Sequence, residues 1–148
     1  MIIRDILTFK EGILYSVTPE QSVAEVLAQM VQAGIGSLVV HRDGFMVGLI
    51  TERDLLRGLN IQGAAVLQET VSQLMVTDPI IGSPDDTIDY VRGVMTENRI
   101  THLPVMEGDN VIGIISFHDV AKACLNAVDF ENRLLKRYIK HWPDEQDI

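Results

Sequence analysis

Gly48-Leu49-Ile50-Thr51-Glu52-Arg53-Asp54 and Gly113-Ile114-Ile115-Ser116-Phe117-His118-Asp119 are one pattern written twice, 65 positions apart. Carried back toward the N-terminus, the same offset pairs Pro19 with Pro84, Val26 with Val91, Met30 with Met95, Ile35 with Ile100, Leu38 with Leu103 and Val40 with Val105. A repeat that holds without a gap over this length sets the architecture before any single residue is interpreted. Two copies of one unit are expected to pack about a pseudo-twofold axis, with a groove between them built twice from equivalent residues.

Periodicity supplies the elements of the unit. Val23, Val26, Leu27 and Met30 fall on one helical face, entered through Thr18-Pro19 and closed at Ala33-Gly34. Leu38-Val39-Val40 reads as a strand, Arg42-Asp43-Gly44 as a tight turn, and Met46 to Ile50 as a second strand. Thr51 and Asp54 bracket the start of a second helix, Leu55 to Leu59. In the second copy Ile88, Val91, Val94 and Met95 form the helical face, His102 to Val105 and Val111 to Ile115 the strands around Glu107-Gly108-Asp109-Asn110, and a helix starts near Asp119. Pro104 inside a strand implies an edge or a strand start.

The expected fold is therefore α/β, of the α+β type: two tandem helix–strand–strand–helix repeats sharing a core, plus a C-terminal helix. Residues 1–65 form the first repeat with an N-terminal segment, 66–125 the second, and 126–148 a helical tail. The stretch 60–75 is a linker, partly helical across Ala64 to Leu67. In the tail, Val120, Cys124, Val128, Leu135, Tyr138, Ile139 and Trp142 make an apolar stripe ended by Pro143. It either packs back on the core or contacts a second copy.

Composition narrows the function. A chain of 148 residues, 47% hydrophobic and 22% charged, is globular and fits one domain of ordinary size. Its formal charge of −9 argues against general nucleic-acid binding, which draws on Lys and Arg to neutralise phosphates. One cysteine, Cys124, forbids an internal disulfide and suits a reducing cytoplasm. No signal peptide is expected at Met1-Ile2-Ile3-Arg4-Asp5, and no apolar run reaches the length of a membrane span. His41, His102, His118 and His141 lack the paired spacing of a metal site, and no activated nucleophile emerges. Neither a catalytic residue nor a required cofactor is expected; Met30, Met75 and Met95 read as core filler.

The doubled proline turn, the helix ending near Met30 or Met95, the short strand Leu103-Pro104-Val105 and the doubled Gly-apolar-Ile-Thr/Ser-x-x-Asp together resemble the cystathionine-β-synthase (CBS) domain pair, over roughly residues 1–125. That resemblance implies a regulatory module binding an adenosine compound: AMP, ADP or ATP, with S-adenosylmethionine as the alternative. It also implies a homodimer and, with no catalytic domain attached, output through an effector protein of unknown identity. A dimeric scaffold without ligand is the competing reading; an enzyme ranks below both.

Asp54 and Asp119 each open a helix after a glycine strand. An ionised carboxylate offers two acceptor oxygens and a ribose two donors, so a sugar contact is expected; the ordinary role of an acid there is a helix cap. Thr51 and Ser116 offer hydroxyls beside helix N-termini, suited to capping or to phosphate. Arg53 is a permanent cation able to fork onto phosphate, whereas its counterpart His118 is largely neutral near pH 7, so the half-sites should differ. Gly36-Ser37 and Thr101-His102 are the segments the resemblance sets against base and phosphates. One expected site is Thr51, Arg53 and Asp54 facing Thr101, His102 and Pro104. The other is Ser116, His118 and Asp119 facing Gly36 and Ser37.

Overall fold

A computed structural model describes residues 1–10 and 13–126. Each repeat begins with an 11-residue helix, α2 (Val23–Ala33) or α5 (Ile88–Asn98), capped by a hydroxyl: Ser22 accepts from Glu25 N and Thr87 from Tyr90 N. Such caps satisfy amide groups that have no partner inside the helix. Both helices end on a left-handed residue at equivalent positions, Gly34 (φ 65) and Arg99 (φ 53). An antiparallel hairpin follows each: β2 (Ser37–Arg42) with β3 (Phe45–Thr51), and β4 (His102–Glu107) with β5 (Asn110–Ser116). Their two-residue turns are Asp43-Gly44 and Gly108-Asp109. The hairpins even share a register shift, after Val40 and after Val105. The second helices are α3 (Glu52–Gln62) and α6, which runs over described residues 117–126. Both start earlier than apolar spacing alone suggests, because Thr51 and Ser116 are their caps. The expected tail helix beyond residue 126, with Leu135 and Trp142, lies outside the described residues.

The hydrophobic interior departs from the single shared core expected. It is two clusters, each completed by a segment from elsewhere in the chain. Val26, Met30, Leu38, Val40 and Ile50 of the first repeat are joined by Val66 of the 3-10 helix Gly63–Gln68 and by Val71 of α4 (Val71–Leu74). Val91, Met95, Leu103, Val105 and Ile115 of the second are joined by Ile3 and Ile6 of an N-terminal helix, α1 (Ile3–Phe9). The boundary at residue 65 therefore divides the sequence, while in space α1 belongs with the second repeat and 66–74 with the first.

The repeated strand glycines make room for these exchanged segments. A Cβ on Gly48 would stand 2.8 Å from Val76 O and from Met75 Sδ; one on Gly113 would stand 2.6 Å from Leu7 Cδ2 of α1. Pro104 marks a difference between the copies. In the first, Val39 N donates to Tyr15 O, and β1 (Ser16–Val17) adds a parallel strand to β2. Pro104 occupies the position of Val39 and has no N–H to give. The second copy keeps only the bridge Gly82–Val105 at the corresponding place. As expected of a strand proline, Pro104 lies at an edge, in a two-stranded sheet.

Candidate functional site

Where β3 runs into α3, Thr51 and Asp54 form a reciprocal cap. Thr51 N and Oγ1 both donate to Asp54 Oδ2, at 2.8 and 3.1 Å, and Asp54 N donates to Thr51 Oγ1 at 3.4 Å. This commits one carboxylate oxygen. The other, Oδ1, faces Arg57 Nη1 at 3.6 Å, too long for a hydrogen bond. Asp54 is 6% exposed, so the open oxygen is sheltered from bulk water yet borders a cleft. Cap and sugar contact can therefore coexist on one side chain.

That first cleft encloses about 370 Å³, within the range of small-molecule sites. Thr51, Arg53, Asp54 and Arg57 line it from one repeat, residues 98–102 from the other, and Asp78, Pro79 and Ile80 from the connection. Arg53 reaches across the repeats to donate to Arg99 O at 2.9 Å. Three arginines against two aspartates give this cleft a local positive excess in a chain of net charge −9.

The second cleft encloses about 610 Å³. Residues 33–37 line it from the first repeat, His102, Ile112, Gly113, Ile114 and Ser116 from the second, and Leu7, Lys10 and Tyr15 from the N-terminal segment. Ser116 and Asp119 repeat the cap, with Ser116 N donating to Asp119 Oδ2 at 2.9 Å and Asp119 N to Ser116 Oγ at 3.0 Å. Here Oδ2 also accepts from Lys10 Nζ at 2.8 Å, and the same ammonium donates to Ile114 O at 2.8 Å. Burial pushes the Asp119 carboxyl up, but Lys10 and the Ser116 amide outweigh it and hold it below the usual carboxylate range.

His102 lines both clefts and forms part of the wall between them. Burial lowers its affinity for a proton, opposed in part by nearby Glu52, so the ring is neutral at pH 7. Its Nδ1 is 3.1 Å from Thr101 Oγ1. Gly36 completes the wall: a Cβ there would stand 3.1 Å from both Glu52 Cδ and His102 Cε1.

Of the residues expected at the first site, Thr51, Arg53, Asp54, Thr101 and His102 line the first cleft, and of those expected at the second, Gly36, Ser37 and Ser116 line the second. Three expected residues are placed otherwise. Pro104 is buried in β4 and lines neither cleft. His118 is exposed on α6 and lines neither. Asp119 is not among the lining residues and borders the second cleft through its bonds to Lys10 and Ser116, which are. Among the described residues no group of His, Cys, Asp and Glu could hold a metal ion, and no helix is long and apolar enough to cross a membrane.

Comparison with known proteins agrees with this duplicated architecture. The family model described as "CBS domain" matches twice, over residues 3–61 and 71–126. The chain belongs to the CBS domain family. It is 32% identical over 128 residues to the mitochondrial CBS domain-containing protein CBSX3 of Arabidopsis thaliana, covering 83% of this chain and 62% of that one. The chain thus spans about six-tenths of that relative's length. A solved CBS-domain protein of Agrobacterium tumefaciens, ATU1752, superposes with a TM-score of 0.79 at 36% identity, covering 82% of this chain and 92% of that one. CBSX2, solved in complex with AMP, shares the fold at 24% identity, with a TM-score of 0.72 and coverage of 85% and 97%.

Two residues of this CBS pair were not singled out from sequence. Arg57 carried a signal: it lies three positions after Asp54 and four after Arg53, on one helical face. Lys10 carried none, since its partner Asp119 is 109 residues away and outside any repeat relation.

Proposed function

We propose that the chain is a regulatory module that binds AMP, ADP or ATP between its two CBS repeats and signals by altering how the repeats, or two copies of the chain, pack. The observation that carries this reading is the first cleft: a sheltered carboxylate with one oxygen uncommitted, flanked by Arg53 and Arg57. Asp54 accepts from the ribose hydroxyls, and the arginines meet the phosphates, for which a planar fork of donors is well suited. AMP bound to CBSX2 supports the ligand class, and the arginines favour phosphates over S-adenosylmethionine. A ligand shifts packing only by preferring one arrangement. Arg53, which already ties α3 to the other repeat, is the natural point of leverage.

We also propose a cytoplasmic homodimer acting on an effector protein, with no catalysis of its own. Leu56 on α3 and Leu125 on α6, 66% and 63% exposed, support an apolar contact between copies. Thermal unfolding with AMP, ADP, ATP and S-adenosylmethionine tests the ligand. At 100 times Kd a native-state ligand adds about 2.7 kcal/mol, or about 5–11 °C for a chain of this size. No rise with any of the four would leave the ligand-free scaffold as the better account. Turnover of a nucleotide lost on changing Asp54 would instead make it an enzyme.

A further inference from the structure

The two clefts are duplicates in sequence but not in charge. In the first, Arg53, Arg57 and Arg99 face Asp54 and Asp78. In the second, Lys10 is the one permanent cation among the described lining residues, and it is already committed to Asp119 Oδ2 and Ile114 O. Its neighbours there include Leu7, Ile13, Leu14, Tyr15 and Ile112. A phosphate entering the second cleft would meet an ammonium whose charge is already balanced by Asp119 and which has two of its three donors taken, and it would stand beside that carboxylate. An uncharged ligand need disturb neither bond, because Asp119 Oδ1 makes no hydrogen bond among the described residues.

Resting on the nucleotide reading given above, we infer that the clefts divide adenosine compounds by charge: the arginine cleft takes a phosphorylated adenosine, and the Lys10–Asp119 cleft takes an adenosine that carries no phosphate. The larger volume and apolar margin of the second cleft suit a nucleoside, with or without an apolar 5′ substituent. Lys10 is then a specificity residue, holding the carboxylate in place for the sugar while its pairing with Asp119 leaves the cleft no net positive charge for a phosphate. The shared His102 wall lets each occupant be felt by the other.

Isothermal titration with AMP and adenosine, alone and in competition, tests the division. The expected result is that saturating adenosine leaves an AMP site of unit stoichiometry. The Arg53→Gln/Arg57→Gln double variant should weaken AMP at least about tenfold and leave adenosine within twofold. Asp119→Asn, which keeps an oxygen for the Ser116 cap, should weaken adenosine and spare AMP. The inference is overturned if the two ligands compete for one site with the same residue dependence, if AMP binds and adenosine does not, or if Asp119→Asn affects only AMP. Heat from neither ligand would instead remove the nucleotide reading itself.

Discussion

Replacing Asp54 separates its two roles. Asp54→Asn keeps an amide oxygen to accept from the Thr51 backbone at the position where Oδ2 now stands, 2.8 Å away, so the cap of α3 survives in large part. What goes is the charge and, at the Oδ1 position, the acceptor, because the amide nitrogen then stands there. A ribose hydrogen bond to the ionised carboxylate is worth about 1.5–3 kcal/mol, so its loss weakens AMP about 10- to 150-fold. Asp54→Ala should cost a similar factor in affinity. It also loses the cap, typically about 1 kcal/mol, or about 2–4 °C in Tm. The ion pair with Arg57 adds little, since the guanidinium is 63% exposed. Titration calorimetry and thermal melts of both variants check this. Unchanged AMP affinity in Asp54→Asn, with a lowered Tm in Asp54→Ala, would show Asp54 to be a helix cap and nothing more.

Three further outcomes follow from the same geometry. Gly48→Ala should lower stability by about 1–3 kcal/mol, because its Cβ would meet the fixed Val76 carbonyl; Gly113→Ala should cost only about 0.5–1.5, since the Leu7 tip it meets can change rotamer; melts of the pair check the order. Arg99→Gly should raise stability by up to about 1 kcal/mol, relieving a left-handed non-glycine residue at φ 53 while losing some to glycine's freedom in the unfolded chain. The His102 pKa is depressed on folding, so the folded state binds fewer protons than the unfolded one just below pH 6.5. Stability should then fall as pH drops from about 6.5 toward the lower folded value, and Tm measured between pH 7 and 5.5 should be flatter in His102→Asn.

How much the sequence reveals depends on whether a feature repeats. The hairpins, their turns, α2 and α5 follow from local spacing, and the 65-residue offset confirms each reading by its twin. Thr51, Asp54, Thr101 and His102 are legible because a cap and a strand end are local. The exchange of α1 and the 66–74 segment is not, since Ile3, Ile6 and Leu7 make too short a face for periodicity to mark, and nothing near them specifies which core they join. Lys10 is hidden for the same reason. Pro104 lines neither cleft because a strand residue on the His102 face can be covered completely by its neighbours, which its motif position does not reveal. His118 is misplaced because equivalence to Arg53 in sequence does not transfer reach: Arg53 spans to Arg99 O, and the shorter imidazole on α6 stays in solvent.

A crystal structure of the protein grown with AMP tests the central claim most directly. The account predicts nucleotide in the cleft bounded by Thr51 and Thr101, with ribose hydroxyls within about 3 Å of Asp54 and the phosphate on Arg53 or Arg57. Nucleotide bound elsewhere, or ribose turned away from both Asp54 and Asp119, would contradict it.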